Sequence, residues 1–183
     1  MLRITIPGRE YFDNSKQEFI YVKKQILDLE HSLVSISKWE SKWKKPFFTK
    51  ESKTTEEYVD YVRCMTLNSN VDPNVYNALD RRVIEKISKY IDDPMTATWF
   101  NDKKNDKGKG RRGQIVTSEL IYYWMVSYQI PFECQKWHLN RLLTLIRICE
   151  LKNEPSKMKK KKDIYAQYRE LNVARKKNLG TNG

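Results

Sequence analysis

Apolar and polar residues alternate over 2–7 (LRITIP) and 18–23 (EFIYVK), and both stretches are rich in β-branched or aromatic side chains. That two-residue period, with turn-forming residues over Gly8–Lys16 between, predicts two strands joined as an antiparallel hairpin. The period then lengthens. Leu29, Leu33, Ile36 and Trp43 fall near one face of a helix over about 28–44, with Trp39 beside them and Pro46 as its stop. Thr54 and Glu57 have the spacing of a capping box, and the helix they start carries Tyr58, Tyr61, Val62 and Met65 on one face. Asp72-Pro73 reads as an N-cap and first-turn proline for a short helix to Leu79. Asp80 caps another helix, with Val83, Ile84, Ile87 and Ile91 along it.

Beyond Pro94 the pattern shortens again. MTATWF (95–100) and Gln114-Ile115-Val116 are β-leaning, and the thirteen residues between them hold no apolar side chain. They predict a second small hairpin with a long basic tip. Thr117 or Ser118 caps a helix through Tyr128 that is apolar almost all round, which predicts the central, buried helix. After Pro131, a helix over Cys134–Leu151 places Trp137, His138, Leu142, Leu145, Ile146 and Cys149 on one stripe. Past Pro155, Ile164, Tyr168 and Leu171 follow i, i+4, i+7 among lysines and arginines, a basic amphipathic helix ended by Gly180. The expected fold is mainly α: a multi-helix domain with one or two small antiparallel β-hairpins and a basic C-terminal helix or tail. Residues 1–154 form the core domain and 155–183 the tail.

Charge sharpens this division. Of the net +12 on 183 residues, 151–183 carry +7 and 101–113 carry +4, which leaves only +1 for the rest. The body is nearly neutral, and its basicity is confined to one loop and one tail. No apolar run approaches the ~18 residues of a membrane span. The N-terminus has no secretory pattern, so the expected compartment is the cytoplasm. Three cysteines without a C-x-x-C pair, and two histidines, argue against a disulfide framework and against a metal site.

Catalytic motifs are missing: there is no G-x-S-x-G, Walker loop, H-E-x-x-H or dinucleotide turn. Gly108-Lys109-Gly110 lacks the strand before it and the ending of a phosphate loop. His138 on an apolar stripe reads as a core histidine, His31 as structural, and Cys134–His138 on one helix as a poor nucleophile–base pair. The expectation is no enzyme, no cofactor and no metal. Binding is the chemistry left. Clustered Lys and Arg suit either an acidic protein surface or nucleic acid. Trp39 and Trp43, at i and i+4 among lysines (KWESKWKKPFF), fit the core most simply, or else an exposed protein-binding patch. The candidate partner-binding residues are therefore Trp39 and Trp43; Lys103, Lys104, Lys107, Lys109, Arg111 and Arg112 of the loop; and Lys159, Lys160, Lys161, Lys162, Arg175, Lys176 and Lys177 of the tail.

Several segments together resemble a known family: LEHSLVSISKWESKWKKPF (29–47), MTATWF (95–100), ELIYYWM (119–125), IPFECQKWHLNRLLTLIRIC (130–149) and RELNVARKKNLGTNG (169–183). In this order they are similar to the tail assembly chaperones of long-tailed bacteriophages and prophages. The resemblance covers nearly the whole chain. It implies a non-enzymatic protein of the host cytoplasm that binds the tape-measure protein and helps recruit tail-tube subunits; a homo-oligomer is left open as a further partner. It carries no catalytic residues across. The competing expectation is a virion structural protein, at the head–tail connector or on the capsid, whose basic loop and tail touch DNA or an acidic protein surface.

Overall fold

A computed structural model of the chain describes residues 1–13, 17–100, 115–153, 169, 173 and 175. The chain divides into two compact units, Met1–Arg147 and Ile148–Gly183. The first is mixed α and β, with two antiparallel two-stranded sheets among its helices. This corrects the expectation of a mainly α domain, and the reason lies in how residues 2–29 pair.

β1 (Leu2–Ile6) pairs with β4 (Gln25–Leu29), and β2 (Arg9–Asp13) pairs with β3 (Glu18–Val22). The predicted pairing of 2–7 with 18–23 is therefore wrong. Leu2 opposite Leu29 and Asp13 opposite Glu18 both sum to 31, so the two sheets are halves of one long ribbon in one register. The interruption falls where Pro7-Gly8 faces Lys23-Lys24. Proline has no N–H to give a ladder. A Cβ on Gly8 would come within 3.0 Å of Tyr21 Oη and 3.3 Å of the Lys24 nitrogen, which suits the bare backbone found there. Each break places two exposed residues in succession. The inward set thereby moves from Ile4 and Ile6 to Arg9 and Tyr11, and from Ile20 and Val22 to Leu27 and Leu29. A change of parity turns the ribbon's other face inward. One half can then cover the core while the other lays Tyr11 and β3 on the 3₁₀ turn Pro73–Ala78.

Leu27 and Leu29 are consequently strand residues. Helix α1 (Leu33–Trp43) starts only at Ser32, whose Oγ accepts the Ser35 N–H at 3.3 Å. It closes at Lys44, at φ 54°, whose N–H returns to the Glu40 carbonyl at 2.8 Å. Helix α2 (Thr55–Met65) has the predicted reciprocal cap: the Glu57 N–H donates to Thr54 Oγ1 at 3.2 Å, and the Thr54 N–H donates to Glu57 Oε2 at 2.8 Å. Asp72 caps the 3₁₀ turn, and Asp80 accepts the Val83 N–H at 2.8 Å to start α3 (Arg81–Asp92). Residues 95–100 and 115–116 form no strand, so the second hairpin is also corrected. The Asp93 carboxylate binds the Met95 N–H, Met95 itself sits at φ 48°, and Trp99 is exposed, so this stretch has no buried face from which to build a ladder.

Helix α4 (Ser118–Ser127) follows its Thr117 cap. The predicted helix from Cys134 is instead a 3₁₀ turn (Phe132–Lys136) and then α5 (Leu139–Asn153), which leaves Trp137 and His138 ahead of the helix. Ile6, Leu27, Leu29, Leu33, Ile36, Met65, Ile87, Ile121, Met125 and Leu139 make the core. Within it α1 lies against α2 and α4, and α3 against β1. No helix among the described residues is long and apolar enough to cross a membrane. In the second unit Arg169, Val173 and Arg175 are helical and exposed. Ile164, Tyr168 and Leu171 lie outside the described residues.

Candidate functional site

The two tryptophans singled out from sequence are brought together at the α1–α2 seam. Trp39 is 2% exposed, and its indole N–H donates to the Glu57 carbonyl at 2.8 Å. Trp43 is half-buried, stacks on Trp39 with ring centres 6.1 Å apart, and donates to Asp60 Oδ2 at 3.0 Å. Lys42 pairs with Asp60, and Lys45 with Glu57 at 2.7 Å. Burial pushes the Asp60 carboxyl up, but hydrogen bonds from Lys42 and Trp43 outweigh it and hold the group below its ordinary value. Lys53 lies 3.9 Å from the Phe47 ring centre, and burial lowers its ammonium. These side chains satisfy one another, so the seam fastens α1 to α2. Of the basic candidates, Arg175 is exposed on its helix. Lys103, Lys104, Lys107, Lys109, Arg111, Arg112, Lys159, Lys160, Lys161, Lys162, Lys176 and Lys177 lie outside the described residues.

The histidines meet in the core. An antiparallel bridge joins Ser32 to His138, the Leu139 N–H donates to the His31 carbonyl at 2.7 Å, and the two imidazoles stand 5.1 Å apart. The Tyr61 hydroxyl and His31 Nδ1 are hydrogen-bonded. The Asn140 N–H donates to His138 Nδ1 at 3.3 Å, so the proton sits on Nε2, which donates to the Tyr90 carbonyl at 3.0 Å. Tyr90 in turn gives its hydroxyl to Glu30 Oε1 at 2.6 Å. Burial, and then the neighbouring His138, lower His31 to about 3. Burial also raises the Tyr61 phenol well above its ordinary value, so it keeps its proton. Both rings are buried structural groups, His31 bonded through Nδ1 and His138 through both ring nitrogens. Among the described residues no group of three His, Cys, Asp or Glu side chains could hold a metal.

Among the described residues, an open apolar surface lies on α4. The sequence predicts this helix to be central and buried, and it is not. Ser118, Ile121 and Met125 are buried, whereas Tyr123 and Val126 are 63% and 60% exposed. Glu119, Tyr122, Tyr123 and Val126 stand at i, i+3, i+4 and i+7, one continuous stripe on the outer face. The stripe is held from beneath by Glu40. That buried carboxylate accepts the Phe47 N–H at 2.7 Å through Oε1 and the Ser118 N–H at 2.8 Å through Oε2. A negative group at the positive end of α4 fixes the helix on α1.

The far end is set by the helix C-terminus. The Ile130 N–H reaches back to the Met125 carbonyl at 2.8 Å and the Gln129 N–H to the Val126 carbonyl at 3.1 Å, with Gln129 left-handed at φ 55°. This Schellman closure turns the chain back on itself. Phe132, 55% exposed, returns to 6.5 Å from the Tyr122 ring, and the Tyr122 hydroxyl donates to Gln135 Oε1 at 2.8 Å. Sequence reasoning missed this surface because a helix apolar on all sides looks like a core helix. It also looks like a helix with one face on its own core and another for a partner. A second exposed aromatic group, Phe12 against Phe19 at 5.1 Å with Tyr21 beside them, lies on the ribbon's outer face. It is flanked by charges of both signs, Glu10 and Glu18 with Lys23 and Lys24.

No family model, curated protein or solved structure matches this chain.

Proposed function

We propose that this protein is a non-enzymatic assembly chaperone of a long-tailed phage, which binds the tape-measure protein in the host cytoplasm and promotes tail-tube assembly. The observation that carries the reading is the open apolar stripe of Tyr122, Tyr123, Val126 and Phe132 on α4. Such a stripe fits an amphipathic helix laid along it, the helix-in-groove mode of recognition. A tape-measure protein is a long helical chain whose apolar repeats need cover before a tail encloses them. The neutral body and the confined basicity of 101–113 and 151–183 agree with a scaffold carrying separate arms.

The test is a pull-down of the tagged full chain from phage-producing cells after nuclease treatment, with partners identified by mass spectrometry. Recovery of tape-measure and tail-tube proteins, lost with Val126→Lys, supports the reading when purified virions lack the protein. Recovery of portal or capsid proteins, with the chain retained in virions, replaces it with the structural role in which the basic arms touch DNA or an acidic surface.

A further inference from the structure

The charges around the α4 stripe say more about what it takes. From Ser118 to Gln135 the sequence holds Glu119 and Glu133 and no basic residue, in a chain that carries 35 lysines and arginines. Both glutamates are exposed. Glu119 stands at the stripe's first position, and Glu133 directly follows Phe132 at its other end. The nearest cations along the chain are Lys136, three residues past Glu133, and Arg112, seven residues before Glu119; Arg141, further on, lies over the Trp137 ring at 4.3 Å. An apolar strip bracketed by two carboxylates is complementary to an apolar ridge bracketed by cations. It is less complementary to itself: two copies pairing through it about a two-fold axis would bring glutamates rather than cations to the ends of the apolar strip.

We propose that the α4 stripe selects an amphipathic helix whose apolar ridge is flanked by lysine or arginine. The apolar side chains supply the contact area, and Glu119 and Glu133 choose the partner and its direction. This rests on the reading of the protein as a helix-binding chaperone, and it goes further by naming the chemistry of the helix. The choice runs against the chain's overall charge. A protein of net +12 attracts acidic peptides at long range, so a preference for a basic one has to come from a local site.

Two labelled synthetic peptides test it, each about twenty residues long so that a helix is sustained. They share one leucine ridge and differ only in lysine or glutamate beside it. Binding to the full chain is followed by fluorescence anisotropy. The lysine peptide is expected to bind about tenfold more tightly at low ionic strength, the scale of two exposed charge pairs turned from attraction to repulsion. The gap closes as salt is raised. Glu119→Lys with Glu133→Lys reverses the preference, and Val126→Lys weakens the lysine peptide at least tenfold while circular dichroism and Tm stay unchanged.

Equal affinity for the two peptides, still lost with Val126→Lys, overturns the charge selection and leaves the chaperone reading standing. Binding of neither peptide, with no tape-measure protein in the pull-down, removes that reading as well. Peptide binding indifferent to Val126→Lys places the site elsewhere and overturns the proposal. So does a dimer seen by light scattering that Val126→Lys dissociates, since the stripe would then belong to a second copy.

Discussion

His31 makes acid a specific solvent for this fold. Its imidazole is 2% exposed, is hydrogen-bonded to the Tyr61 hydroxyl and faces His138, and burial with that neighbour lowers it to about 3 from an ordinary 6.5. In the unfolded chain it takes a proton near pH 6.5; in the folded chain it resists until about 3. The unfolded state therefore binds more protons throughout that window, and stability falls as pH drops from 6.5 toward 3. Each pH step costs 1.36 kcal/mol once the unfolded group is protonated, so going from pH 7 to 5 removes about 2 kcal/mol. The lowered carboxylates Asp28, Glu57 and Asp60 contribute stability that is lost at lower pH, as they titrate toward their folded values. Urea denaturation followed by tryptophan fluorescence at pH 7, 6 and 5 measures the slope. His31→Asn keeps an acceptor for Tyr61 and has nothing to titrate. The difference in stability between wild type and variant should shrink or grow in the wild type's disfavour by about 2 kcal/mol between pH 7 and 5. Parallel slopes for the two proteins would refute the argument.

Two further substitutions probe what holds the α4 stripe in place. Glu40→Gln replaces one acceptor oxygen with an amide N–H facing the Phe47 or Ser118 N–H, and should cost about 2–3 kcal/mol. For a chain of this length that lowers Tm by roughly 4–12 °C in a thermal melt. Gln129→Gly relieves a left-handed residue in the Schellman turn and should raise stability by about 0.5–1 kcal/mol in urea, with peptide binding at the stripe unchanged.

The sequence by itself determined four of the helical starts, because capping is local chemistry: Thr54 with Glu57, Asp72 with Pro73, Asp80 and Thr117 each act within three residues. It also marked the helical period of α1–α4 and the place of the basic arms. Leu27 and Leu29 were ambiguous, since two leucines two apart fit a strand and sit equally well at the start of a helix. Only pairing with β1, which sets Ile4 opposite Leu27 across 23 residues of chain, decided for the strand, and with it the mixed fold. The histidines look separate in sequence because the bridge between Ser32 and His138 spans more than a hundred residues. The stripe was hidden for a different reason. Hydrophobicity records that a side chain avoids water, not whether its cover comes from the same chain. Which face of α4 meets Glu40 and α1, and which is left exposed, is settled by long-range contacts that no local pattern encodes.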